Sequence, residues 1–264
     1  MNTERLCIRV CDLAKKAGAF IRQERKTFSN ADVKYKGSND LVSYVDKETE
    51  SMLVDGLSTI LPDSGFITEE NTSSIKGKSF TWIVDPLDGT TNFVHGIPCY
   101  CISIALLAGD GIVIGVVYEV NLDECFYAFK HGGAYLNGNK ISVSTTDKLK
   151  ESLLATGFPY SDYSRLKEYM AMFNHLLYNT HGVRRLGSAA VDLAYVACGR
   201  FEGFYEYGLN SWDVAAGALI VMEAGGKVSD FSGGNKFIFG REILACNSNV
   251  FEEMQGLILE TFNL

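Results

Sequence analysis

The sequence has no run of 18 or more apolar residues, so it carries no candidate transmembrane helix. Its first residues, Met1-Asn-Thr-Glu-Arg-Leu-Cys, hold no long apolar core and no small-residue cleavage site, which argues against a secretory signal. Positive charge is in deficit: 24 basic against 32 acidic side chains leave a formal net charge of −8. That balance argues against a broad nucleic-acid surface, which needs cations to displace counterions. It does not exclude small anions, because a metal or a few local cations can reverse the sign inside a cleft. No C-x-x-C occurs among the seven cysteines, an odd number, so reduced thiols in a cytoplasmic protein are expected rather than disulfides or structural zinc. Cys7 and Cys11 share a helix face and read as packing residues. The four histidines, His95, His131, His175 and His181, show no metal-ligand spacing, and His95 reads as structural. Ser188 lacks the G-x-S-x-G context of a serine hydrolase. No repeat, low-complexity tract or Pro/Gly-rich linker interrupts the chain.

What is present is ordinary globular composition, 47% hydrophobic and 21% charged, over 264 residues. A chain of that length buries roughly three quarters of its unfolded surface and needs no staples. Residues 3–27 and 46–60 have helical periodicity, the second ended by Leu61-Pro62-Asp63. Residues 80–84 read as a buried strand. Apolar runs at 101–108 and 112–120 flank Gly109-Asp110-Gly111, a hairpin signal, and 125–129 gives another strand. Beyond residue 150 strands at 153–156, 201–207 and 226–229 alternate with helices at 163–178, 189–198 and 212–223. Ser188 is placed as an N-cap and Gly199 as a helix end. The pattern predicts one α/β (α+β) domain over 1–264, with subdomains of about 1–148 (helices plus antiparallel sheet) and 149–264 (α/β).

The chemistry concentrates in Trp82-Ile-Val-Asp85-Pro86-Leu87-Asp88-Gly89-Thr90-Thr91-Asn92-Phe93. Pro86 pushes Asp85 into extended geometry and Gly89 permits a sharp turn, so two carboxylates converge beyond a strand end. Such a pair repels itself unless a cation neutralises it, and oxygen ligands suit Mg²⁺. An Asp-rich turn with local hydrogen bonds explains the same residues. Upstream, Glu69-Glu70 fits either a ligand or a solvated loop. Downstream, Asp213 fits either a ligand or a first-turn charge on a helix capped by Asn210 or Ser211.

Three segments in this order resemble the inositol monophosphatase family: Thr-Glu-Glu at 68–70, Trp-Ile-Val-Asp-Pro-Leu-Asp-Gly-Thr at 82–90, and Trp-Asp-Val-Ala-Ala-Gly-Ala with Glu-Ala-Gly-Gly at 212–226. The resemblance covers nearly the whole chain. It implies a layered αβαβα sandwich shared with fructose-1,6-bisphosphatase. It also implies a Mg²⁺-dependent phosphomonoesterase with two or three ions, acting on inositol monophosphate through a metal-activated water. By that resemblance Glu69, Asp85 and the Leu87 carbonyl hold one ion, and Asp85, Asp88 and Asp213 a second. Thr90 pairs with Glu69 or its neighbours to orient a water, giving Glu69, Asp85 and Thr90 as catalytic residues. Gly89 and Thr90 offer N–H groups to the phosphate. Gly187, Ser188, Ala189, Glu206 and Asp213 line the substrate side, and Asp46 stands behind the metals. Read alone, Asp46 is a helix N-cap, Gly187-Ser188-Ala189 a plain cap and Glu206 an exposed strand position.

Thr91-Asn92-Phe93 favours inositol phosphate over the adenosine-phosphate and histidinol-phosphate members of the superfamily. The alternatives are a phosphatase for fructose-1,6-bisphosphate or 3′-phosphoadenosine 5′-phosphate, and a regulatory binding protein on the same fold. The sequence departs from the family at Thr68, where Gly is common, and in Lys36-Gly-Ser-Asn-Asp40, one residue shorter than usual. The first bears on the loop carrying Glu69, the second on a third metal position and on lithium sensitivity. A homodimer is implied, with Ile97–Leu107 and 153–185 as candidate contacts. Arg184-Arg185 is an anion patch, a dimer contact or a solvated pair.

Overall fold

The computed structural model describes residues 2–29, 34–37, 40–73, 75, 77, 79–109, 111–159 and 162–264. Helix α1 (Thr3–Arg25) starts at Asn2, whose side chain accepts from Arg5 N at 2.9 Å. Strands β1 (Lys34–Gly37) and β2 (Asp40–Val42) pair antiparallel. Ser38 and Asn39 lie outside the described residues, and with them the shortened loop noted in the sequence. Helix α2 (Tyr44–Ile60) is capped by Ser43, and Asp46 closes the capping box by accepting Ser43 N at 2.8 Å. Asp46 is therefore the third residue inside the helix, not its N-cap.

A seven-stranded sheet follows, ordered β3 (Gly65–Thr68), β4 (Phe80–Asp88), β5 (Cys101–Ala108), β6 (Gly111–Glu119), β7 (Glu124–Phe129), β8 (Gly133–Leu136) and β9 (Asn139–Ile141). Only β3–β4 is a parallel pair; the rest are antiparallel. Asp110 lies outside the described residues, but the strands it joins pair as the sequence predicts. A short helix α3 (Thr90–His95) leaves the end of β4.

The second sheet is built from β10 (Leu153–Thr156), β11 (Gly182–Arg184), β12 (Gly203–Tyr207), β13 (Lys227–Ser229) and β14 (Glu242–Cys246), in the order β11-β10-β12-β14-β13. Its helices are α4 (Leu166–Asn179), α5 (Ala189–Ala197), α6 (Ser211–Glu223) and α7 (Phe251–Phe262). β14 and α7 lie beyond the last strand that the sequence predicts, at 226–229.

Side-chain alternation sets the layers. Ile102, Ile104 and Leu106 of β5 pack with Leu6, Val10 and Ile21 of α1 and Leu53 of α2. Cys101 and Ala105 of the same strand face the other way, onto α5 and α6. Those two helices also meet Ala155, Phe204, Ile243 and Ala245 of the second sheet. Leu154, Tyr205 and Leu244 point outward to Tyr169 and Met172 of α4 and Met254 and Ile258 of α7. The stack is therefore helix, sheet, helix, sheet, helix, the layered sandwich expected.

The middle helices are buried on both sides, which explains why Ala189–Ala197 and Val214–Val221 are apolar nearly all round. Contact there is close enough to require glycine at position 115: a Cβ would lie 2.5 Å from the Ala216 carbonyl oxygen. All seven cysteines are free, and Cys7 and Cys11 are buried under α1 as read. Within Ile97–Leu107, Ile102, Ile104 and Leu106 are fully buried in this chain's own core, so most of that stretch is unavailable for a dimer contact. Ile97 itself is exposed.

Candidate active site

The two sheets and the middle helices present one cleft of about 580 Å³. Every residue selected from the sequence lines it except Asp46, which stands behind. Asp85 and Asp88 come from the end of β4. The strand bulges there: Asp85 pairs with Ser103 and Asp88 with Cys101, so three steps on β4 match two on β5. A bulge of this kind re-aims side chains at a sheet rim. The Asx-turn reading of these residues also holds, since Leu87 N donates to Asp85 Oδ1 at 2.9 Å. Turn and site are one structure. Gly89 then takes φ of 95°, which starts α3 without a Cβ penalty.

Asp213 enters from α6, where Asn210 is the N-cap and Asp213 Oδ2 accepts Asn210 N at 2.6 Å. Carboxylate oxygens of Asp85, Asp88 and Asp213 lie within 4.8 Å of one another. Among the described residues no other trio of His, Cys, Asp or Glu meets that spacing. Glu69 lines the cleft but stands outside that set.

Electrostatics record the crowding. Burial, then the charges of Glu69, Asp88 and Asp213, hold the Asp85 carboxyl well above the usual range. Burial also raises Asp213, with Asp88 adding to it. Asp88 is pushed up to about 6 by burial, against hydrogen bonds from Ser188 and Ala190. Both bonds fall on one oxygen: Ser188 Oγ and the Ala190 N–H each donate to Asp88 Oδ2 at 2.7 Å. The donor set is all oxygen and its anionic form is unfavourable without a counter-charge. That fits a hard divalent cation, which the three aspartates could hold.

Thr90 bonds directly to groups of this chain. Its hydroxyl lies 2.9 Å from Asp46 Oδ1 and 3.0 Å from the Leu87 carbonyl oxygen. Asp46 is fully buried, and desolvation raises its carboxyl against the hydrogen bonds from Ser43 and Thr90. The capping box and the site thus share one side chain. Ser188 caps α5, accepting from Val191 N at 3.4 Å, while its own hydroxyl serves Asp88. Glu206 is buried in β12, not exposed, and burial followed by the charge of Asp213 raises its carboxyl well above the ordinary value.

Arg185, Asp192 and Asn92 have places near the site that the sequence left open. Arg185 separates from exposed Arg184: it lines the cleft, sits 5.9 Å from the Phe158 ring, and its charge lowers Asp88 and Glu206. It is not half of a solvated pair. Asp192 lines the same wall, 1% exposed, and its Oδ1 has no hydrogen-bond partner among the described residues. A single acid inside the apolar run Ala189–Ala197 was its signal. Asn92 Nδ2 donates to the carbonyls of Cys99 and Leu186, both at 2.8 Å, tying the turn after α3 to the loop before α5. His95 is an exposed helix end.

A sequence profile described as the inositol monophosphatase family matches residues 3–263. The chain is 41% identical over 236 residues to a protein named inositol-1-monophosphatase from Mesorhizobium japonicum, covering 89% of this chain and 88% of that one. It is 41% identical over 243 residues to the Nus factor SuhB of Escherichia coli, covering 91% of each. Among solved structures, the extragenic suppressor protein suhB of Bartonella henselae superposes with a TM-score of 0.91 at 37% identity, covering 98% of both chains. Inositol monophosphatase from Anabaena gives 0.87 at 34% identity, covering 98% of this chain and 97% of that one. No helix among the described residues is long and apolar enough to cross a membrane. The carboxylate cluster, the layered sandwich and the full-length match agree, and the chain belongs to the inositol monophosphatase family of Mg²⁺-dependent phosphatases.

Proposed function

We propose that this protein hydrolyses inositol monophosphate to inositol and phosphate, with Mg²⁺ held by Glu69, Asp85, the Leu87 carbonyl, Asp88 and Asp213. The observation that carries the reading is the trio of aspartates from β4 and α6 within 4.8 Å, in a cleft that raises the pKa of each. Bound there, the cation supplies a water of lowered pKa and charge stabilisation for the leaving oxygen. The chain's own groups do the positioning. Thr90, held between Asp46 and the Leu87 carbonyl, offers its hydroxyl beside the metal ligands. The N–H groups of Gly89 and Thr90 face the phosphate from the turn. Glu206, Gly187, Ser188 and Ala189 form the wall that receives the polyol, where the buried carboxyl of Glu206 rewards a ligand hydroxyl. We also propose a homodimer, with exposed Met170, Leu177 and Tyr178 of the 153–185 region as contacts.

The Nus factor name borne by some relatives supports a second reading, a binding protein on the same fold. The complete set Glu69, Asp85, Asp88, Thr90 and Asp213 favours turnover. Phosphate release from myo-inositol 1-phosphate, fructose-1,6-bisphosphate, 3′-phosphoadenosine 5′-phosphate and histidinol phosphate, with and without EDTA, tests this. EDTA-sensitive turnover of the inositol ester above the others supports the proposal. Preference for another ester moves the substrate, and no turnover at all favours the binding protein.

A further inference from the structure

Glu50 lies in the second turn of α2 and is fully buried. Its carboxylate accepts three hydrogen bonds, all from the segment that directly follows Glu69. Glu70 N donates to Oε2 at 2.8 Å, and Thr72 donates to Oε1 through its N–H at 2.8 Å and its hydroxyl at 2.6 Å. Between these two residues Asn71 takes φ of 56°, and its Nδ2 donates to the Glu69 carbonyl at 3.2 Å. The chain thus wraps its N–H groups around one buried anion, as a backbone nest does. On its other side Glu69 is tied to the sheet: Thr68 pairs with Val84, and Glu69 N donates to the Val84 carbonyl at 3.3 Å. Glu69 is the one acidic member of the ligand set outside the tight aspartate trio, so its reach depends on this loop.

We infer that Glu50 is a positioning residue of the metal site, fixing the 70–72 turn so that Glu69 presents its carboxylate to the cleft. The inference rests on the reading of Glu69 as a ligand given above. Groups that orient first ligands typically change metal affinity by about 10–100-fold when removed. Glu50→Gln keeps the volume but has one acceptor oxygen. If the amide oxygen keeps the Thr72 bonds, the NH₂ group meets the Glu70 N–H donor to donor.

The test uses the full chain and Mn²⁺ as probe, with free Mn²⁺ read by electron paramagnetic resonance, alongside the Mg²⁺ dependence of phosphate release and Tm. Glu50→Gln is expected to raise the half-saturating metal concentration by about 10–100-fold, with saturating metal restoring most of kcat. Thr72→Val removes a single bond and is expected to give a smaller rise in the same direction; it carries the test if Glu50→Gln does not fold. Wild-type Mn²⁺ affinity in both variants, with Tm alone lowered, overturns the inference and leaves the metal site standing. Absence of Mn²⁺ binding in the wild-type protein overturns the site reading and this inference together.

Discussion

Asp88→Asn should make the metal-free protein more stable, by an amount that depends on pH. Asp88 Oδ2 takes both of its short bonds, from Ser188 Oγ and Ala190 N. An amide oxygen in that position keeps both, and the NH₂ group faces the cleft where the charge had been. The folded pKa, about 6 against an ordinary 3.8, lies above the unfolded one. Stability is therefore fully present at low pH and is lost as pH rises from about 4 through about 6. At 1.36 kcal/mol for each pKa step, the ionised carboxyl costs about 3 kcal/mol near pH 7.5 and about 1 kcal/mol near pH 4.5. For a chain of this size that is a Tm gain of about 6–12 °C in EDTA near neutrality, shrinking by about two thirds at the acid end. Mg²⁺ should reverse the order, because the wild-type site then gains a ligand-bound counter-charge that the variant holds poorly. Thermal unfolding by circular dichroism across pH, with EDTA or with Mg²⁺, measures all of this. Equal Tm values in EDTA at neutral pH, or a gain that does not change with pH, would refute the crowded-anion argument.

Three further outcomes are expected. Asp85→Asn or Asp213→Asn should lower phosphate release by more than the 10–100-fold typical of outer-shell changes, with the circular dichroism spectrum unchanged; near-wild-type turnover would end their assignment as ligands. Glu206→Gln should raise KM for myo-inositol 1-phosphate by about tenfold, or about 1.4 kcal/mol, while leaving an aryl phosphate without hydroxyls unaffected; equal changes for both esters would remove Glu206 from polyol recognition. Gly115→Ala sets a Cβ 2.5 Å from the Ala216 carbonyl, backbone against backbone. It should destabilise by about 1–3 kcal/mol in urea unfolding, and an unchanged midpoint would show that β6 and α6 can separate without cost.

Much of the fold was legible where one period dominated. The helix expected over 46–60 was found to begin at Tyr44, because Ser43 supplies the cap. The strand expected over 80–84 runs on to Asp88, past the proline, because the bulge lets Pro86 sit in a strand without a ladder hydrogen bond. β3 was not legible, because four residues, Gly65–Thr68, are too short to show a period. β14 and α7 were passed over although α7 carries a buried face of Phe251, Met254, Ile258 and Phe262. The aspartates were legible because Pro and Gly mark the turn that aims them. Glu50, Asp192 and the Thr90–Asp46 bond were not, since each depends on what lies opposite in another element. A lone acid in an apolar run, as in Val191-Asp192-Leu193, was the visible trace of one of them.

The order of the second sheet also bears on how the protein is made. β14 lies inside that sheet, between β12 and β13, although it follows both in the chain. Until the ribosome has released residues 242–246, β12 presents an open edge on the side β14 will fill, and β13 has no neighbour at all. Asp213 and Glu206 lie on elements that belong to or lean on that unfinished sheet, so a nascent chain long past Asp213 still has no settled cleft. An unpaired strand edge is a template for pairing with other chains. A chain cut short before residue 242 is thus expected to aggregate rather than to persist as a folded, inactive fragment.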